Sequence, residues 1–274
     1  MAAIARVVRV PDTDEPNTDE RARRGSSFGA VAGAYAEHRP DYPVDAVRWC
    51  VAPLGRDIAG LRVLDLGAGT GKLTATLAQI GAAVTAVEPD EAMLGELRHA
   101  LPSVRALSGP AEAIPLPDAS VDAVLCGQAM HWFDMSRAVP EIARVLVPGG
   151  VLGALWNSDD DRVEWVAGLQ EAAESAASPS LSRRRSEAAG FSTEQFGTEL
   201  FGPAERAEFP HSQRLNADTL VALIGTHSHV LIMDPARRER LTGQVRSYLA
   251  SRPETAAGEF KLPMVTSVVR TVRR

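Results

Sequence analysis

Cysteine is scarce: the 274 residues hold two, Cys50 and Cys126, each inside an apolar run. With no Cys-x-x-Cys pair and no Cys/His group at ligand spacing, a disulfide framework is excluded and no metal site is expected. Long apolar runs are missing too, since none approaches the ~20 residues that a membrane helix needs. The first ten residues contain a short apolar stretch broken by Arg6 and Arg9, with no small-residue cleavage pattern behind it, which does not read as a secretion signal. A cytoplasmic location without a membrane partner is the expectation. Basic excess is also lacking. The formal net charge is −6, which argues against a nucleic-acid partner, because phosphate binding needs a concentrated basic surface. The basic cluster Arg183-Arg184-Arg185 reads as a solvated loop or helix end.

What is present is an ordinary globular balance, 45% hydrophobic and 23% charged, in a chain long enough to bury a full core. Residues 11–27 carry almost no large apolar side chains, so they cannot bury enough surface to offset their ordering entropy. A loosely ordered tail is expected over 1–24. From Leu61 onward, near-continuous apolar strands (61–66, 82–87, 104–107, 121–126 and 151–156) alternate with helical patterns (72–80, 90–100 and 136–146). Asp90 stands in an N-cap position and Gly81 closes the first of these helices. Such alternation specifies a parallel sheet covered on both faces.

After Trp156 the rhythm breaks. A helical pattern over 160–177 leads into a Ser/Arg/Gly-rich stretch that runs to about residue 203. A strand at 204–211, helices at 217–224 and 235–249, and a last strand at 262–272 follow. The fold class expected is α/β, a Rossmann-like doubly wound sheet of seven strands, mostly parallel with a late antiparallel strand, under a helical lid. The chain then divides into a tail (1–24), N-terminal lid helices (25–60), a cofactor-binding core (61–157), and a helical lid and substrate region with the final strands (158–274).

The informative segment is Asp65-x-Gly67-x-Gly69-x-Gly71, directly after a strand. Alternate glycines there permit a tight turn with backbone close to a ligand. A dinucleotide fingerprint wants its third glycine three residues after the second; that position is Lys72, and the third glycine comes early. Asp65 would repel a pyrophosphate but suits a ligand bearing an ammonium group. Glu88, at the end of the second strand and about 20 residues beyond the turn, is placed to accept hydrogen bonds from ribose hydroxyls.

These residues resemble the class I S-adenosylmethionine (SAM)-dependent methyltransferases, and more narrowly the group of ubiquinone/menaquinone-biosynthesis and trans-aconitate methyltransferases. The resemblance covers about residues 28–156. It implies SAM as cofactor, held by Asp65, Gly67, Ala68, Gly69, Glu88 and Pro89, with Met93 covering one face of the adenine. The segment Gly109-Pro110-Ala111-Glu112-Ala113-Ile114-Pro115 resembles the family's "G-x-A-E-x-[LI]-P" loop and brings Ala111 and Glu112 toward the adenine. The run Tyr35-x-x-x-Arg39-Pro40-Asp41-Tyr42-Pro43 resembles the group's N-terminal segment; Tyr35 would line the donor site and Arg39 face the methionine carboxylate. Gln128-Ala129-Met130-His131-Trp132-Phe133 matches a "Q-A-x-H-W-F" signature and would set Gln128 beside the methionine moiety and His131 near the methyl. Beyond residue 157 the match weakens. Thr226-His227-Ser228-His229 resembles a Ser/Tyr-rich lid helix, with histidine where tyrosine is usual.

Methyl transfer is an in-line displacement, for which proximity and orientation supply ~7–11 kcal/mol of the barrier, so a carboxylate acceptor needs no base. For a hydroxyl, amine or carbon acid, a base adds roughly 10²–10⁴-fold, and His131 is the catalytic candidate because imidazole titrates near neutrality. Trp132, His227 and His229 are the substrate-side candidates. The expected activity is methyl transfer to a small-molecule O-, N- or C-acceptor, secondary metabolism being one setting, by a monomer or homodimer. The alternative is a SAM-binding protein of the same fold with other chemistry or none.

Overall fold

The computed structural model describes residues 39–177, 196–197, 199–226, 230 and 233–274. The expected tail at 1–24, the N-terminal lid as far as residue 38 with Tyr35, the Arg183-Arg184-Arg185 cluster, and both His227 and His229 lie outside the described residues.

Helix α1 (Val44–Val51) runs into a single 3₁₀ turn (Ala52–Leu54). Then β1 (Arg62–Leu66), α2 (Lys72–Gln79), β2 (Ala83–Glu88), α3 (Glu91–Ala100), β3 (Arg105–Ser108), β4 (Val121–Gly127), α4 (Met135–Val145) and β5 (Leu146–Asp159) alternate as expected. Helix α5 (Glu164–Ala177), β6 (Glu205–Leu215), α6 (Ala217–Gly225), α7 (Pro235–Ala250) and β7 (Phe260–Val272) complete the chain. The seven strands form one sheet in the order β3-β2-β1-β4-β5-β7-β6. The first five are parallel, and β7 inserts antiparallel between β5 and β6. This is the seven-stranded Rossmann-like α/β sheet expected, with helices over it.

Each face of the sheet has its own core, because strands buried on both sides send alternate residues to opposite layers. On one face Val47 and Cys50 of α1 and Leu73 and Leu77 of α2 pack on Val63, Leu125, Leu155 and Val268. On the other, Ile142 and Val145 of α4 pack on Leu64, Val124, Cys126 and Trp156. Burial in these layers pushes the Cys50 thiol up to about 12 and moves Cys126 the same way, so both stay protonated. A third cluster gathers α5, α6 and α7 around Leu215, Phe260, Leu262 and Met264, where the last two strands rise past the others.

Several helix starts are capped by side chains, though α1 and α2 are not. Asp90 accepts from the backbone of Ala92 and Met93 at the head of α3, Asp134 from Ser136 at α4, and Asn216 closes a capping box with Thr219 at α6. Each such cap is worth ~1 kcal/mol. No helix among the described residues is long and apolar enough to cross a membrane.

Candidate active site

The Gly-rich turn joins β1 to α2 at the carboxyl end of the sheet, where open α/β sheets bind ligands. Gly67, Gly69 and Gly71 all have positive φ, at 71°, 56° and 91°. Gly67 and Ala68 donate backbone N–H bonds to the Val87 carbonyl, which ties the turn to the end of β2. A Cβ on Gly67 would lie 2.6 Å from the Ala129 Cβ, so the backbone of the turn lies directly against the side chain of Ala129 on the chain leaving β4. That contact seats the 128–133 segment beside the turn.

Glu88 is buried, and both of its carboxylate oxygens are engaged: Oε2 accepts from Gly69 N–H at 2.8 Å and Oε1 from Asp90 N–H at 2.9 Å. A carboxylate has about four lone-pair sites, so two acceptor positions remain for a ligand's hydroxyls. Burial pushes the Glu88 carboxyl up, while those two N–H bonds pull it down. Met93, on the first turn of α3, lies with its Sδ 3.8 Å from where a Gly69 Cβ would be. Asp65 is fully enclosed beneath the turn. Its Oδ2 accepts from the Thr74 hydroxyl at 2.6 Å, and burial pushes the carboxyl up to about 7. Its Oδ1 and the buried Thr70 hydroxyl find no hydrogen-bond partner among the described residues.

The other expected residues surround this nucleus unequally. Ala111 is buried, and Gly109 N–H reaches the Glu88 carbonyl at 3.3 Å, which folds the 109–116 loop over the end of β2. Glu112 turns its Oε1 to Asp134 N–H at 2.7 Å, linking that loop to the start of α4. Pro89 is exposed. His131 and Trp132 share a 3₁₀ turn (Met130–Trp132) with ring centroids 4.7 Å apart. Arg39 sends Nε to the Thr226 hydroxyl at 3.0 Å and Nη2 to the Thr226 carbonyl at 3.2 Å, so its guanidinium joins the N-terminal segment to the end of α6.

Gln128 is one of two described non-glycine residues with positive φ, at 55°. A left-handed conformation costs such a residue roughly 1–2 kcal/mol, and strain of this kind gathers at functional sites. Its backbone N–H donates to the Leu155 carbonyl at 2.9 Å and its Nε2 to the Asn157 carbonyl at 2.7 Å. The side-chain amide thus continues the β4–β5 ladder one rung past the end of β4. Sequence reasoning missed Thr70, Ala129 and Asn157. Thr70 and Ala129 stood inside motifs already singled out, whereas the partners of the Asn157 side chain lie over a hundred residues away on either side.

With the sheet order and this cradle in place, the comparisons with known proteins agree. Residues 64–154 match a methyltransferase domain family. The chain is 41% identical over 254 residues to an uncharacterized methyltransferase of Mycobacterium tuberculosis, covering 92% of this chain and 98% of that one. An uncharacterized methyltransferase-like protein of Schizosaccharomyces pombe is 35% identical over 80% of this chain and 84% of its own. The structure of a putative type II methyltransferase from Anaeromyxobacter dehalogenans superposes with a TM-score of 0.56 at 27% identity, over 86% of this chain and 97% of that one. The chain belongs to the class I SAM-dependent methyltransferases; it is an enzyme, and its cofactor is SAM.

The residues fit that cofactor. The glycine cradle has no room for side chains at Gly67 or Gly71, where a Cβ would lie 2.6 Å from Ala129 and 2.9 Å from Leu97 respectively. Two buried acceptors, Asp65 Oδ1 and Thr70 Oγ1, and the two open positions on Glu88 match a ligand rich in N–H and O–H donors and free of phosphate.

Proposed function

We propose that this methyltransferase acts on a small-molecule acceptor at O, N or C and falls within the group that includes the ubiquinone/menaquinone-biosynthesis and trans-aconitate enzymes. SAM supplies an electrophilic methyl group on its sulfonium. Asp65, Gly67, Ala68, Gly69, Glu88 and Pro89 hold the adenosine and amino-acid ends around the glycine turn. Met93, Ala111 and Glu112 lie against the adenine, and Gln128, with Tyr35 and Arg39 from the N-terminal segment, orients the methionine moiety. Trp132, His227 and His229 face the acceptor.

The observation that carries this reading is the approach of Ala129 to Gly67. It sets the 128–133 segment, and His131 with it, at the edge of the cofactor turn. His131 is then positioned to take the acceptor's proton as the new bond forms, while its tilted packing on Trp132 limits the ring's rotation.

The test uses SAM carrying a labelled methyl, a panel of small carboxylic acids, phenols and amines, and the His131→Asn variant. With the acceptor found, the variant is expected to lose about 10²-fold in kcat while its SAM affinity stays unchanged. Wild-type turnover and a wild-type pH profile in His131→Asn would exclude the base and leave proximity as the main source of the rate.

A further inference from the structure

We infer that Asn157 is a positioning residue of this site: its buried amide latches the N-terminal strap at residues 39–43 onto the edge of the sheet, and the Thr266 hydroxyl holds that amide from its other end. The inference rests on the reading above that Arg39, carried by this strap, orients the methionine moiety of SAM. Asn157 lies near the carboxyl end of β5 and is 2% exposed. Its Nδ2 donates to the Asp41 carbonyl at 3.2 Å, and its Oδ1 accepts from the Thr266 hydroxyl on β7 at 2.6 Å. A backbone carbonyl only accepts, so the opposite orientation of the amide would set two acceptors against each other. The Asn157 backbone carbonyl meanwhile takes the Gln128 amide. One residue thus joins the exit of β4, the final strand and the strap.

The strap's other bonds are weaker or reach different elements. The Lys72–Asp41 ion pair, at 3.3 Å, involves an Asp41 side chain that is 75% exposed, where solvent screening leaves little net attraction. The Thr76 hydroxyl reaches the Tyr42 carbonyl only at 3.3 Å. Arg39 binds Thr226, at the end of α6, an element of the helical layer rather than of the sheet. The Asn157 amide is therefore a buried polar link from the sheet to the strap, set beside the packing of Tyr42 in the core of the same sheet, and its loss loosens the segment that carries Arg39.

The experiment measures S-adenosylhomocysteine affinity by calorimetry, and steady-state kinetics, on full-length wild type and on Asn157→Ala, Thr266→Val, the double variant and Arg39→Ala. Asn157→Ala is expected to weaken binding about tenfold and raise the KM for SAM similarly, with kcat changed less than about threefold. Thr266→Val should weaken binding about threefold, and the double variant should be no worse than Asn157→Ala, because Thr266 acts through that amide. Arg39→Ala tests the underlying reading. If it binds as wild type, Arg39 does not orient the cofactor and the role of Asn157 falls with it. If Arg39→Ala binds weakly while Asn157→Ala binds as wild type, and shows only a lower melting temperature, the amide is a packing group and the inference alone is overturned. Should Asn157→Ala fail to fold, Thr266→Val decides, with unchanged affinity overturning the inference.

Discussion

The two halves of the sheet are built on different terms. From β1 to β4 the strands are four to seven residues long and parallel, and the connection that forms the cradle is the short Gly-rich turn after β1. From β5 to β6 the strands run 11 to 14 residues, β7 is antiparallel to both neighbours, and three helices among the described residues are inserted at their ends. In the first half the turn is fixed by glycines at positive φ with neighbours so close that side chains at Gly67 and Gly71 have no room. The second half joins long strands to a separate helical cluster, where side-chain packing rather than backbone contact holds the elements together. Under the proposed function, a rigid cradle and an adaptable wall then belong to different elements.

The largest effect that would sharpen this comparison is expected at Gly67. Alanine there must adopt φ near +71° and place its Cβ 2.6 Å from the Ala129 Cβ, so strain and overpacking act together. Gly67→Ala is expected to cost roughly 3–4 kcal/mol of stability and to abolish measurable S-adenosylhomocysteine binding. Denaturant melts and calorimetry check both. A variant that keeps wild-type affinity would show that the cradle has slack and would erase the contrast between the halves.

The same contrast explains what the sequence could disclose. The strands of the first half are short, largely apolar runs, β1, β3 and β4 ending at a glycine and β2 at Pro89, and their boundaries agree with the structure to within a residue or two. Asp65, Gly67, Glu88 and Met93 are brought together because the turn that joins them is local in the chain. β5 extends beyond its expected bounds, starting at Leu146 through Pro148, Gly149 and Gly150, residues that break a strand pattern, and ending at Asp159. β6 continues to Leu215 through alternating charged and half-buried residues, because its pairing with β7, rather than its own composition, sustains it. The left-handed backbone of Gln128 and the bonds of Asn157 to Asp41 and Thr266 are invisible in the linear chain: no glycine marks the first, and sequence separations of 116 and 109 residues hide the second.

Asp65 sharpens the comparison in a second way, through pH. Its folded carboxyl titrates at about 7 against an ordinary 3.8, chiefly because burial disfavours the charge, with the Thr74 bond opposing and the nearby Glu88 adding to the rise. Between about pH 4 and 7 the unfolded chain has therefore lost this proton while the folded chain keeps it, so stability falls as pH rises through that window and stays lowered above it. Asp65→Asn preserves an acceptor for Thr74 and removes the charge. It is expected to be roughly 2 kcal/mol more stable than wild type at pH 8, nearly equal to it at pH 4, and weaker in S-adenosylhomocysteine binding. Thermal melts across that range, with calorimetry at pH 8, check the signs. A variant with the wild-type pH slope would remove Asp65 as the strained group beneath the turn.

The smallest expected effect belongs to the helical layer. A Cβ on Gly168, within α5, would run into the hydroxyl of Tyr248 on α7. That hydroxyl donates to the Trp165 carbonyl at 2.8 Å, so the added methyl displaces one hydrogen bond worth ~1 kcal/mol. Alanine in place of glycine inside a helix returns ~1 kcal/mol through backbone entropy. The Tyr248 ring is only half-buried and can swing toward solvent, whereas Ala129 is buried and its Cβ has no rotatable bond by which to move away from Gly67. The two terms nearly cancel, and Gly168→Ala is expected to shift stability by less than about 1 kcal/mol, with S-adenosylhomocysteine affinity unchanged. A loss as large as that of Gly67→Ala would mean that the inserted helices are packed as tightly as the cradle, and adaptability would have to be sought elsewhere than in this layer.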